Sequence, residues 1–195
     1  MKAYPVVEQF DSVQGEGLHA GALASFIRLG GCNLNCPWCD TPQRGVEHSV
    51  LKMTGSIVEE ARRGFVVITG GEPTLHDLAD LTRTLKMQNK FVALETNGTN
   101  IIQPFWNVDW VAVSPKPPLY VCLPRPDEVK FVVSDDFNID EALEQLPVEI
   151  EELQGKIFLQ IESQRGESVQ RALEIQQMYP ILKIGVQLHK VLGVA

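Results

Sequence analysis

Three of the chain's four cysteines lie in one short stretch, GCNLNCPWCDT at residues 31–41, with the spacing C-x3-C-x2-C. A closed zinc site needs four ligands, commonly arranged as two well-separated pairs. Three thiolates on one loop can instead hold three irons of a cubic iron–sulfur cluster and leave the fourth iron open to an exogenous ligand. A structural zinc loop completed by a histidine or by Cys122 is the alternative. The predicted metal ligands are Cys32, Cys36 and Cys39.

A second motif, ITGGEP at residues 68–73, follows another strand-like run. Two glycines at the carboxyl end of a parallel strand expose backbone N–H and C=O groups to the adjacent crevice. Taken alone, the motif is a tight turn. Because it and the cysteine loop both follow consecutive predicted strands, we expect the two to face the same opening.

Short apolar runs bounded by turn residues alternate with helical periodicity along the chain. Several runs are apolar at consecutive positions, which is typical of strands covered on both faces. Leucines spaced three or four apart indicate amphipathic helices between them. The predicted strands are 23–29, 65–69, 91–95, 110–113, 128–133, 157–161 and 183–188, and the predicted helices are 54–63, 77–88, 138–146 and 167–179.

The alternation of strands and helices predicts parallel βα units. The helices are too few for an eight-fold barrel. We therefore predict an α/β fold, an open, partial βα barrel of about six parallel strands with few helices. No convincing interdomain linker is present, so residues 1–195 are predicted to form a single domain.

The composition narrows the classes of function. The net charge is −8 and no run of Lys and Arg forms a basic stripe, which disfavours direct binding to nucleic acid. No apolar run approaches the roughly 20 residues that span a bilayer, and the N-terminus lacks the apolar region of a signal peptide. Clustered thiols in such a chain indicate metal or redox chemistry in a reducing cytoplasm.

The cysteine spacing after a first strand, the aromatic Trp38 before the third cysteine and the GGEP motif together resemble the radical S-adenosylmethionine (SAM) superfamily. The resemblance implies a radical SAM core that holds a [4Fe–4S] cluster. In that superfamily the open iron is chelated by SAM, and one electron from the cluster cleaves the sulfonium to give a 5′-deoxyadenosyl radical.

Further motifs resemble the 7-carboxy-7-deazaguanine synthase (QueE) family, and the resemblance extends from about Phe10 to Ala195. It implies an enzyme that uses SAM and Mg²⁺ to contract the ring of 6-carboxy-tetrahydropterin to 7-carboxy-7-deazaguanine, with release of ammonia, in queuosine or 7-deazapurine biosynthesis. The motifs are QGEG (14–17), FIRLGGC with its in-strand Arg28, CDT (39–41), ETNGT (95–99), SPK (114–116) and LHKVLGVA (188–195).

Some of these residues suit the substrate by their own chemistry. Arg28, on a strand, offers a planar fork that matches a carboxylate or ring acceptors, although a structural salt bridge is the alternative. Gln14 and Glu16 can read a ring edge through an amide and a carboxylate, although a plain Gly-rich turn is the alternative. A terminal carboxylate needs no side chain, so Ala195 can serve as a ligand.

The remaining site residues are implied by the family resemblance alone, and no catalytic side chain is predicted beyond the cluster. Thr41 is the implied Mg²⁺ ligand, since a hard cation prefers oxygen. The residues after Gln160 depart from the family's usual Gln-Pro. The cofactor-binding set is Trp38, Cys39, Asp40, Gly71, Ser114, Pro115, Lys116 and Gln160, and the substrate-binding set is Val13, Gln14, Gly15, Glu16, Arg28, Thr69, His189 and Ala195.

Two other functions stay open at this level. A glycyl-radical activase of the same superfamily would share the cysteine loop but would not need QGEG, Arg28 or the His-Lys tail. A non-catalytic zinc or iron–sulfur binding module would need the thiols alone. For the leading interpretation the expected partners are a small pterin substrate, an electron donor such as flavodoxin or ferredoxin, and a second copy of the chain in a homodimer.

Overall fold

The computed structural model describes residues 2–39, 41, 45–135, 137–162 and 165–194. Within them, nine strands form one sheet in the order β3-β1-β2-β4-β5-β6-β7-β8-β9. Strands β3 and β9 are the two ends of this sheet, so the described strands form an open layer. The strands are β1 (Ala3–Val13), β2 (Leu23–Leu29), β3 (Val50–Met53), β4 (Phe65–Gly70), β5 (Phe91–Thr96), β6 (Trp110–Val113), β7 (Glu128–Val133), β8 (Ile157–Ile161) and β9 (Lys183–Gly185).

Seven of these strands, β2 and β4 to β9, pair in parallel, which confirms the predicted open βα architecture. Strands β1 and β3 were not predicted, and they add an antiparallel flank beside β2. Strand β9 ends at Gly185 rather than at residue 188, because Leu188 instead donates its backbone N–H to the Gly15 carbonyl at 2.9 Å.

The described residues also form five α-helices and three short 3₁₀ turns. The four predicted helices are all present, three of them with slightly shorter bounds and the predicted 167–179 shifted to Gly166–Met178. Helix α2 (Ala79–Met87) shows why they form, since it buries Leu81 and Leu85 against the sheet and leaves Lys86 in its last turn. The α-helices are α1 (Thr54–Glu60), α2 (Ala79–Met87), α3 (Ile139–Glu144), α4 (Gly166–Met178) and α5 (Leu188–Leu192), and the 3₁₀ turns are Val46–His48, Pro73–Leu75 and Ile150–Leu153.

The parallel strands bury side chains on both faces. On β4, Val66 and Ile68 join the core under α1 and α2, whereas the intervening Val67 packs on the opposite, inner face with Phe26 and Ala93. This two-sided burial explains the consecutive apolar residues in the sequence. The inner face ends in polar side chains at the carboxyl ends of the strands, and this edge carries the candidate site.

Candidate active site

The cysteine loop leaves the carboxyl end of β2 and is held by the loop after β5. Asn97 donates its side-chain amide to Asn33 Oδ1 at 2.9 Å, and the Asn33 side-chain amide donates to the Thr99 hydroxyl at 2.7 Å. Both Asn97 and Thr99 belong to the ETNGT motif. The motif therefore fixes the chain between the first two cysteines, Cys32 and Cys36.

The GGEP turn lies directly against the start of the cysteine loop. Glu72 donates its backbone N–H to the Gly31 carbonyl at 2.7 Å, and the Gly71 N–H donates to the Leu29 carbonyl at 3.1 Å. A Cβ atom added to Gly71 would lie 2.1 Å from the Gly31 oxygen. Only glycine permits this close approach, so the two motifs are sterically matched.

The Glu72 side chain was not singled out in the sequence, yet it ties two strand ends together. It is fully buried and accepts hydrogen bonds from the backbone N–H of Asn97 at 2.6 Å and of Thr74 at 3.0 Å. The Thr96 hydroxyl donates to it at 2.8 Å. The carboxylate thus fixes Asn97, which in turn holds the cysteine loop.

One cavity at the carboxyl ends of the strands brings the predicted site residues together. Among the predicted site residues that the structure describes, Pro115 alone does not line this cavity, although its neighbours Ser114 and Lys116 do. Asp40 and Ala195 lie outside the described residues. The predicted residues that line the cavity are Val13, Gln14, Gly15, Glu16, Arg28, Cys32, Cys36, Trp38, Cys39, Thr41, Thr69, Gly71, Ser114, Lys116, Gln160 and His189.

The two-residue period of the strands explains how residues distant in sequence share this cavity. Arg28 pairs in register with Thr69 across β2 and β4, so their side chains stand side by side on the inner face. Glu95 on β5 continues this row, Lys130 on β7 lies on the same inner face two residues past the row, and both line the same cavity. Neither was predicted, and the signal for Lys130 was a charged residue within the apolar run EVKFVV.

Arg28 has two partners at the rim of the cavity. Its Nε donates to Glu8 Oε1 at 2.5 Å, and its Nη1 donates to Thr41 Oγ1 at 3.4 Å. Arg28 therefore forms the structural salt bridge that was the alternative prediction, and it also lines the cavity. The guanidinium and the Thr41 hydroxyl would both be available to the same bound carboxylate.

The C-terminal segment closes over the QGEG motif. His189 lies so close to Gly15 that a Cβ atom there would be 1.8 Å from the ring Nδ1. Gln187 donates its amide to Glu16 Oε1 at 2.9 Å. The motif therefore needs Gly15 to admit the His189 ring, which supports the joint placement of both residues in the site.

Lys116 lies deep in the cavity next to the cysteine loop and donates to the Ser114 hydroxyl. Burial lowers its pKa, while the negative charge of the Cys36 thiolate opposes that shift. The lysine is therefore a donor close to the thiols, where a group carrying a carboxylate would be attracted.

The donor set of the cavity fits a [4Fe–4S] cluster and SAM. Within the described ranges, no group of three or more His, Cys, Asp or Glu side chains gathers around one point as a single metal ion requires. A cubic cluster instead attaches each cysteine to a different iron. The amide atoms of Gln160 and the Trp38 Nε1 are buried without a hydrogen-bond partner among the described residues, so they remain available to a polar ligand.

Comparison with known proteins agrees with this site. The family model for the radical SAM superfamily matches residues 26–116, from Phe26 to Lys116. The 7-carboxy-7-deazaguanine synthase of Synechocystis sp. is 36% identical over 98% of this chain and 94% of its own. That of Aquifex aeolicus is 38% identical over 87% of this chain and 83% of its own. The chain belongs to the 7-carboxy-7-deazaguanine synthase family.

A solved structure supports the same assignment. A crystal structure of QueE from Escherichia coli is similar, with a TM-score of 0.73 and 28% identity, over 96% of this chain and 95% of that one. Membership of the radical SAM superfamily implies a [4Fe–4S] cluster and SAM. No helix among the described residues is long and apolar enough to cross a membrane.

Proposed function

We propose that this enzyme, a radical SAM 7-carboxy-7-deazaguanine synthase, converts 6-carboxy-tetrahydropterin to 7-carboxy-7-deazaguanine with release of ammonia. The observation that carries the proposal is that one cavity joins the three thiols to the polar residues of QGEG, Arg28 and His189. A binding module would need only the thiols. A glycyl-radical activase would have to admit a polypeptide where His189 closes against Gly15.

The cluster is assigned to Cys32, Cys36 and Cys39, which leaves one iron for SAM. When bound, the cluster and SAM supply a one-electron cleavage that starts radical chemistry on the substrate. On the protein side, the orphan amide of Gln160 and the indole N–H of Trp38 offer hydrogen bonds to SAM. The remaining assigned SAM contacts are Asp40, Gly71, Ser114, Pro115 and Lys116.

The substrate is assigned to the opposite part of the cavity. Phe10 and Phe26 stack with ring centroids 5.1 Å apart and both line the cavity, so they offer an apolar wall to a flat ring. Arg28 then faces the carboxylate or a ring oxygen with its planar fork. The other assigned contacts are Val13, Gln14, Gly15, Glu16, Thr69, His189 and Ala195.

We assign Mg²⁺ to Thr41. Its hydroxyl lines the cavity 3.4 Å from Arg28 Nη1, where a substrate carboxylate could meet both the ion and the guanidinium. Mg²⁺ keeps several waters and binds through few protein oxygens, so one hydroxyl and one substrate carboxylate are a sufficient anchor.

The test is anaerobic turnover. The protein with its reconstituted cluster is incubated with SAM, Mg²⁺, a chemical reductant and 6-carboxy-tetrahydropterin, and the products are identified by mass. We expect 7-carboxy-7-deazaguanine and ammonia in equal amounts. SAM cleavage that yields no deazaguanine would contradict the proposal and favour the activase. Stoichiometric zinc with no cubic-cluster signal in absorption and EPR spectra would favour the binding module.

The proposed assembly rests on a different part of the molecule, the end of the sheet. Strand β3 ends the sheet and leaves Val50 67% and Leu51 74% exposed, an edge suited to pairing in a homodimer. Light scattering of the purified protein tests this directly, and a monomer at micromolar concentration would contradict it.

We further propose one domain over residues 1–195, a cytoplasmic location and a flavodoxin or ferredoxin as the electron donor.

A further inference from the structure

Lys130 is a buried cation directly beneath the substrate part of the cavity. Its side chain projects from the middle of β7 onto the inner face, and the residue is only 4% exposed. Its Nζ donates to Glu16 Oε2 at 2.9 Å and to Glu95 Oε1 at 3.0 Å. The ammonium therefore joins two carboxylates that come from different parts of the chain.

The two carboxylates organise the residues assigned to the substrate. Glu95 accepts the Gln14 amide at 3.1 Å through Oε1 and the Thr69 hydroxyl at 3.1 Å through Oε2. Glu16 accepts the Gln187 amide at 2.9 Å. The same two carboxylates thus fix the loop before β2, the end of β4 and the C-terminal segment.

Two carboxylates that lie close together in a buried site repel each other. One of them therefore tends to take up a proton unless a cation lies between them. Burial acts to lower the pKa of Lys130, but the negative charges of Glu16, Glu95 and Glu128 more than offset it, and the pKa is raised. The lysine therefore stays charged at all ordinary pH values. The titratable or charged groups that face this cluster are Lys116, Glu128 and His189.

We propose that Lys130 is a positioning residue that keeps Glu16 and Glu95 ionised together, so that this side of the cavity selects a ring edge rich in N–H donors. The proposal rests on the proposed function. An ionised carboxylate only accepts hydrogen bonds, whereas a protonated one also presents a donor. A 2-amino-4-oxopyrimidine edge offers N–H donors to such acceptors. A proton on either carboxylate would place an O–H donor against those N–H groups and weaken the contact.

The test compares wild type with Lys130→Met, Glu95→Gln and the double variant that combines them. Counting Glu16, Glu95 and Lys130, the site carries one net negative charge in wild type and in the double variant, but two in Lys130→Met. Dissociation constants of 6-carboxy-tetrahydropterin are measured by anaerobic calorimetry, with cluster and SAM present and no reductant, from pH 6 to pH 8. Turnover is measured separately.

Without the ammonium that lies between them, the two carboxylates repel each other, so Lys130→Met should bind substrate worst at low pH, where a proton takes the place of the cation, and regain affinity as the pH rises. We expect the ratio of its dissociation constant to that of wild type to fall about tenfold from pH 6 to pH 8. The double variant lacks one of the two repelling carboxylates. The ratio of its dissociation constant to that of wild type should therefore change less than about twofold over the same pH range.

A Lys130→Met ratio that does not vary with pH would overturn the proposal, because a lysine that only fills space would give that result. If Lys130→Met does not fold, the charge-matched double variant should fold. Failure of the double variant, with Glu95→Gln folded, would also overturn the proposal. Absence of binding and turnover in wild type would instead contradict the proposed function.

Discussion

The amino and carboxyl ends of the parallel strands differ sharply along the same inner face. At the amino ends, Phe65, Phe91 and Trp110 surround His19 with ring centroids at 5.3, 5.6 and 4.7 Å. At the carboxyl ends, the equivalent rows end in polar residues such as Thr69. The amino end of the inner face is thus filled by aromatic rings in contact, and the carboxyl end is an open cavity lined with hydrogen-bonding groups.

The difference shows how one sheet separates stability from chemistry. Side chains alternate across the sheet with a period of two, so the inner rows of β4, β5 and β6 each run from an aromatic residue through a smaller apolar one to a polar one. On β5 the row is Phe91, Ala93 and Glu95. Substitutions at the carboxyl end should therefore change cofactor or substrate binding, and those at the amino end should change stability alone.

The largest expected effect is loss of the cluster from the carboxyl end. Changing any one of Cys32, Cys36 or Cys39 to Ala should remove a ligand that no other described thiol can replace, and activity should fall below detection. Iron content and the absorption spectrum after anaerobic reconstitution provide the measurement. Cys122→Ala is the matched control, because that thiol is buried and its pKa is raised by burial to about 11. Loss of the cluster in the control would contradict the assignment.

The second prediction concerns Glu72, which is structural although it lies at the carboxyl end. Glu72→Gln replaces an acceptor with an amide that must face the donors of Thr74, Thr96 or Asn97, which should cost roughly 2–4 kcal/mol of unfolding free energy. Urea unfolding of the cluster-free protein measures it. The control is Glu60→Gln, which breaks an exposed pair with Lys52 and should cost less than about 0.5 kcal/mol. Equal costs would refute the role assigned to Glu72.

Most of the fold could be predicted from the sequence because the patterns that identify its strands and helices are local. Seven strands and four helices follow from apolar runs and helical spacing, and each is present. Strand β1 was missed because its polar and apolar residues are interspersed around Pro5, and its partners lie 10 to 50 residues along the chain in β2 and β3. Only the folded sheet shows that pairing.

The site was predicted unevenly for the same reason. The cysteine loop and the QGEG motif are contiguous in sequence, so their residues could be read directly. The Glu95–Lys130 contact joins β5 to β7 across β6, and no local pattern reports it. A lysine within an apolar strand was the available signal, because a charge is rarely buried without a partner.

The third prediction addresses Mg²⁺ at the rim. Thr41→Ala removes one oxygen ligand and should raise the Mg²⁺ concentration for half-maximal activity by about tenfold, equivalent to about 1.4 kcal/mol. Binding of SAM without Mg²⁺ should not change. Thr41→Ser keeps the hydroxyl and should respond like wild type. An unaltered Mg²⁺ response in Thr41→Ala would remove this residue from the site.

The smallest effect is expected at the amino end, where His19 lies among three aromatic rings. Burial lowers the pKa of His19, so the unfolded chain binds a proton more readily than the folded one. The contribution of His19 to stability is therefore full above its unfolded pKa near 6.5, and it falls as the pH drops below that value. The loss should be on the order of 1 kcal/mol or less.

His19→Phe tests this, since it keeps an aromatic ring but cannot titrate. Urea unfolding from pH 5 to pH 8 should show a shallower pH dependence in the variant than in wild type. The KM for the pterin should stay within about twofold, because the loop that carries His19 is also fixed by the Leu18 N–H, which donates to Glu128 at 2.7 Å. A large rise in KM would show that the aromatic end positions the QGEG motif, and the separation between the two ends of the sheet would then fail.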